Sequence, residues 1–153
     1  MSTISSIVYR PDHVPAKPAD HYSRVALEAA QLVAGYGIEG DRKGGHPDRQ
    51  VNIMSQEALD QLATEGFKTV PGAMGEQIII SGLNINDLPS GSRIQIGPEA
   101  VVELATPRTG CDRFEAIQEL SPASAQGRLG MMGRVVQSGP IRIGDSIKIL
   151  EHV

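Results

Sequence analysis

The chain has 153 residues, with 14 lysines and arginines against 18 aspartates and glutamates, a formal net charge of −4, one cysteine and no tryptophan. That length suits one domain with a core of its own, and an acidic balance without paired aromatics argues against nucleic-acid binding. A lone cysteine forms no internal disulfide, the opening MSTISSIVYRPD lacks a leader's basic and apolar regions, and no apolar run nears the ~20 residues of a membrane span, so a cytoplasmic protein without membrane contact is expected.

Strand signals come first along the chain, in TISSIVY (3–9). PDHVPAKPADHY (11–22) carries three prolines in twelve residues and reads as a loop. Residues 23–34, SRVALEAAQLVA, fit helix or strand. QVNIM (50–54) is β-rich, and SQEALDQLATEG (55–66) reads as a helix with Ser55 as N-cap, Glu57 in its first turn, Ala58, Leu59 and Leu62 on one face, and a stop at Gly66. EQIIIS (76–81), SRIQIG (92–97) and AVVELAT (100–106) return to strand, with GLNINDLPSG (82–91) as punctuation. CDRFEAIQEL (111–120) spaces Phe114, Ile117 and Leu120 as one helical face. RVVQS (134–138) and SIKILE (146–151) are strands around the turn-like GPIRIGD (139–145). Many short strands with two small helices predict a mainly β fold, a β-barrel with helical excursions, as a single domain over 1–153.

Three stretches carry chemistry. In GYGIEGDRKGGHPDRQVNI (35–53), glycines 35, 37 and 40 mark sharp bends, and Arg42, Lys43, His46 and Arg49 follow. Such a basic cluster in an acidic chain suggests an anion site, phosphate first, while a glycine turn with solvated charges is the simpler reading of the stretch alone. Neither a Walker A loop nor a Rossmann glycine motif is present. In PGAMGEQIIIS (71–81), Glu76 is either a ligand contact or a strand-edge carboxylate.

The third stretch, ATPRTGCDRF (105–114), holds the single cysteine. Pro107 ends the strand through Ala105 and Gly110 allows a turn, which puts Cys111 at the start of the second helix. Unsatisfied amides there, with Arg108 and Arg113 nearby, favour a thiolate. The opposing reading is a buried, inert thiol. His13, His21, His46 and His152 show no zinc spacing, although a Cys111–His46 pair can still assemble in space.

Taken together and in order, GIEGDR (37–42), RQVNI (49–53), PGAMGEQI (71–78), SGLNINDLPSGSRIQIG (81–97), VELATPRTGC (102–111) and GRVVQSGPIRIGDSIKI (133–149) resemble the MOSC domain, the C-terminal domain of molybdenum cofactor sulfurases. The resemblance covers roughly residues 35–150 and implies a MOSC-type β-barrel whose cysteine is a functional thiol. Cys111 then matches the family cysteine, as catalytic group and molybdenum ligand. Arg108 matches the arginine of its PR element, expected as the second catalytic residue, Arg42 the basic residue of GDR, and Glu76 the glutamate of GEN. Arg42, Lys43, Arg49, Glu76, Arg108 and Arg113 become the expected cofactor-binding residues. Lys43 stands where the family often has His, Gln77 where it has Asn, and Gly110 where it has Pro.

The implied activity is that of a pyranopterin molybdenum cofactor enzyme, reducing N-hydroxylated or N-oxide compounds with electrons from a separate donor protein. The alternative is a sulfur carrier without metal, passing a Cys111 persulfide from a pyridoxal-phosphate cysteine desulfurase to an acceptor. A binding-only module is a third version. No desulfurase or ferredoxin module is visible in the sequence, so either donor is expected to be another protein.

Overall fold

The computed structural model describes residues 1–151, so His152 lies outside the described residues. The first expected strand is β1 (Thr3–Tyr9). The ambiguous 23–34 segment resolves into two strands, β2 (Val25–Leu27) and β3 (Ala29–Val33), followed by the short β4 (Gly37–Ile38). Helical spacing there is coincidental: β2 pairs with β1, and β3 with β4 and with β10 (Gly139–Arg142), a strand inside the segment expected to be turn. β5 (Val51–Ser55), α1 (Gln56–Thr64) and β6 (Ile78–Ser81) follow, then β7 (Arg93–Ile96), β8 (Ala100–Pro107), α2 (Asp112–Gln118), β9 (Met131–Gln137) and, after β10, β11 (Ile147–Glu151).

Eight strands form one mixed sheet in the order β11-β7-β8-β9-β5-β6-β1-β2, and β10, β3 and β4 form a second. Among the described residues only β5 and β6 pair in parallel, with α1 in their crossover, as parallel neighbours require. The mainly β expectation holds, while the main sheet is not closed into the expected barrel. Among the described residues, β1 meets the run into β11 through the isolated bridge of Thr3 with Ser146 and through hydrogen bonds from Ile4 N to Asp145 O, Gly144 N to Ile4 O and Ile147 N to Ser2 O, without a continuous ladder.

Period-2 alternation sets the layers. Val51 and Ile53 of β5, with Ile78 and Ile80 of β6, enter the main core shared with Leu32, Ile38 and Ile141 of the smaller sheet. Met54 and Ile79 point the other way, beneath Leu59, Leu62, Phe67 and Phe114. Burial on both faces is why β6 reads as an unbroken apolar run.

Two local expectations change. Ser55 occupies the cap position of α1, but its hydroxyl donates to Leu83 O (2.7 Å) and accepts from Ile85 N (2.8 Å), so it fastens the next loop rather than the helix. α2 stops at Gln118 because Glu119 turns left-handed at φ 59°, leaving Leu120 partly exposed instead of on the buried face. No helix among the described residues is long and apolar enough to cross a membrane.

Candidate functional site

Where β1 and β8 end and β5 begins, five segments surround a cavity of about 480 Å³, within the range of small-ligand sites. The end of β1 contributes Arg10, and the proline-rich strap after it contributes Lys17, Tyr22 and Arg24. The glycine-rich loop adds Arg42, Lys43, His46 and Arg49, while Asn52 and Gln77 come from neighbouring strand ends. The turn after β8 supplies Arg108 and Cys111, and α2 supplies Arg113. Eight of the chain's 14 lysines and arginines line this cavity, and among the described residues no carboxylate does.

The turn that carries Arg42 is built on Asp41. Its fully buried Oδ1 accepts from the amides of Arg10 (3.0 Å) and Lys43 (3.2 Å), pinning two cation-bearing segments together. Arg42 itself pairs with exposed Asp12 at 3.1 Å, and Arg49 lies 3.3 Å from His46 Nε2. Burial pushes the Lys43 ammonium below its usual value, and Arg24, Arg10, Arg113 and Lys17 push the same way. That is the electrostatic mark of positive charge gathered without enough counter-charge.

The two arginines beside the cysteine act as fasteners. Arg108 donates through Nη1 to Met74 O and through Nη2 to the Tyr22 hydroxyl (3.4 Å), with its guanidinium 5.4 Å from the Phe114 ring centroid. Arg113 Nη2 donates to Pro18 O and His21 O, both at 3.1 Å, and lies over Tyr22. Strap residues 18–22 are therefore tied to α2 and to the 74–75 turn. Burial raises the Tyr22 phenol above its usual value, while Arg108 and Arg113 oppose the rise.

Cys111 is exposed and takes the cap position of α2, where its thiol makes no capping hydrogen bond. The thiol is therefore not buried, as the opposing reading had it. α2 has only seven residues, too few for a long helix dipole at its start.

Glu76 lies apart from the lining. It is 1% exposed, and its two oxygens accept from Gly72 N (2.7 Å) and Met74 N (3.1 Å). Burial raises its carboxyl above the usual value against those two hydrogen bonds and Arg108. It holds the turn that bears Gly75 and receives Arg108, so any effect on a ligand passes through them. Arg42, Lys43, Arg49, Arg108, Cys111 and Arg113 do meet in one lining, although almost seventy residues separate the first from the cysteine.

Sequence reasoning missed Arg10, Lys17, Tyr22, Arg24 and Asn52. The strap reads as a loop, and nothing local says that it folds back over the 108–113 turn. Asn52 sits inside a β-rich run whose inner neighbours are core residues. The one available signal was its polarity in that run.

The model of the MOSC domain matches residues 40–148. The chain belongs to the MOSC domain family. A protein from Gibberella moniliformis named "Reductase" is 30% identical over 85 residues, which is 53% of this chain but 15% of that one. Among solved structures, the YUAD protein from Bacillus subtilis superposes with a TM-score of 0.75 at 24% identity, covering 97% of this chain and 96% of its own. YiiM from Escherichia coli (TM-score 0.72, 20% identity, 99% and 71% covered) and YiiM from Geobacillus stearothermophilus (0.75, 22%, 99% and 76%) share the same fold.

Proposed function

We propose that this MOSC domain binds the molybdenum cofactor in the basic cavity, with the Cys111 thiolate as a protein ligand to molybdenum. The observation that carries the reading is the union of eight cations and one exposed thiol in one cavity free of lining carboxylates. The residues fit such a group. The cations suit its phosphate, and a soft thiolate suits its metal. Among the described residues no three His, Cys, Asp or Glu side chains stand together as a metal cage, so a metal arriving with its own ligands asks only one of the protein.

Arg42, Lys43 and Arg49 would hold the phosphate, and Cys111 the metal. When bound, the cofactor supplies two-electron exchange and oxygen-atom acceptance, which suits reduction of an N-hydroxylated or N-oxide substrate with electrons from a partner protein. The name of the Gibberella relative points the same way. Arg108, fixed by Met74 O and Tyr22, places a permanent positive charge beside the reacting region. The Tyr22 phenol stays protonated and able to donate a hydrogen bond, because burial raises it. Arg113 ties the strap to the helix that follows Cys111.

Cys111→Ser is expected to lose nearly all molybdenum and pterin from protein expressed in a host rich in the cofactor. Its melting temperature in metal-free protein should stay within about 2 °C of wild type, as for an exposed side chain without partners. A variant that keeps its full metal content would sink the proposal.

The exposure of Cys111 also favours a second reading, a sulfur carrier. Its thiolate would attack the outer sulfur of a desulfurase persulfide, forming a new S–S bond and expelling the desulfurase thiolate. Incubation with a pyridoxal-phosphate desulfurase and cysteine, then alkylation, should reveal a persulfide at Cys111. Its absence at every ratio tried removes this reading.

A further inference from the structure

Among the described residues, Asn52 is the one neutral side chain of the cavity lining whose polar atoms are buried without a hydrogen-bond partner. The residue is 7% exposed, and both its Oδ1 and Nδ2 are buried without a hydrogen-bond partner. Its backbone, by contrast, is fully committed. The Asn52 amide donates to Gln77 Oε1 (2.7 Å), and its carbonyl accepts from Gln77 N (3.0 Å). The position is therefore rigid while the carboxamide is unused. Val51 and Ile53 on either side enter the core, so alternation turns Asn52 to the other face, beside cross-strand Met132, which also lines the cavity.

A carboxamide offers one acceptor and one donor side by side. Buried and unmatched, both destabilise the empty protein, and an apolar residue of similar size would fill the position better. We infer that Asn52 is a recognition residue for a ligand carrying an adjacent hydrogen-bond donor and acceptor, such as the lactam edge of a heterocycle. The anion of that ligand would rest among Arg42, Lys43 and Arg49. A small rotation of the carboxamide would present its two atoms to the cavity, where the ligand edge would supply the partners that the protein does not. The inference rests on the anion-cavity part of the proposed function and needs no metal. The edge belongs either to the cofactor's heterocycle or to a heterocyclic substrate.

The test compares two fluorescent aromatic acids of similar size on metal-free protein. Pterin-6-carboxylate has a lactam edge, and 2-naphthoate has the same carboxylate and no such edge. Wild type should bind the pterin at least about tenfold tighter, in line with unpaired polar groups penalising the wrong ligand. Asn52→Leu should bring the two affinities within about twofold, leave inorganic phosphate binding unchanged, and melt at or above the wild-type temperature. An unchanged pterin preference in Asn52→Leu overturns the inference, as does a variant that melts well below wild type, which would give the carboxamide a structural role.

Should wild type bind neither acid nor phosphate, the anion cavity itself fails. Loss of molybdenum reading at Cys111 with a surviving pterin preference leaves Asn52 standing. The source of the edge follows from cofactor-loaded protein. Reduced pterin content in Asn52→Leu assigns it to the cofactor, and equal content with a lost preference for free pterin assigns it to the substrate.

Discussion

Glu76 lies outside the lining yet decides where Arg108 sits. Its carboxylate gathers two backbone amides, and the turn it holds offers Met74 O to the arginine. Gly75 in that turn has φ 83°, and a Cβ there would stand 3.0 Å from both Arg108 Nη2 and Tyr22 Cζ. Glu76→Gln turns an amide donor toward one of the two N–H groups and should cost about 1–3 kcal/mol. The effect depends on pH. The folded carboxyl sits above the unfolded value of 4.5, so between the two the folded state holds a proton that the unfolded state has released. Stability therefore falls as pH rises through that window. Urea denaturation at several pH values should show the gap between wild type and Glu76→Gln narrowing from pH 4.5 upward. A gap that widens over that range contradicts the assignment.

Between elements, Gln118 does the joining. It is buried on α2, accepts from Lys68 N (2.7 Å), and donates to Lys68 O (2.9 Å) and Ala73 O (3.2 Å). Those bonds fix the helix that starts at Cys111 to the segment leading into the Glu76 turn. Gln118→Leu leaves three part-buried backbone groups without their side-chain partner and should lower stability by roughly 1–3 kcal/mol. It should also lower phosphate affinity, since Arg113 rides on the same helix; denaturation and phosphate titration read the two effects separately. Little of this linkage is visible in sequence, where Gln118 looks like a polar residue between helical apolar ones. Strands were legible wherever alternation or β-branched runs dominated, as in β1, β7 and β8. β2, β3 and β10 were hidden because alanine, glycine and proline are poor strand formers, and their pairing is set by distant partners. The glycine-rich loop and the cysteine turn were legible as charge and chemistry. The strap was not, because what places it is hydrogen bonding to Arg113, more than ninety residues away.

At the scale of the whole molecule, an acidic protein carries one concentrated positive region, and that region is its least balanced part. Lys43 shows this: its folded value lies below the unfolded 10.5, so the empty protein is penalised at neutral pH. Stability should rise as pH climbs through the window under 10.5, where the unfolded state still holds the proton. A bound anion offsets the penalty by giving the ammonium a counter-charge. Phosphate at a hundred times its dissociation constant should add about 2.7 kcal/mol at pH 7, or roughly 5–10 °C of melting temperature for a chain of this size. The gain should shrink as pH rises through the Lys43 window, and binding should take up protons there. Sodium chloride at equal ionic strength should give little of it, because screening among exposed charges is not site occupancy. Lys43→Met should melt slightly higher than wild type without phosphate and gain less with it. Equal gains from chloride and phosphate, or equal gains in wild type and Lys43→Met, would mean that the charge cluster is a solvated surface and not an anion site.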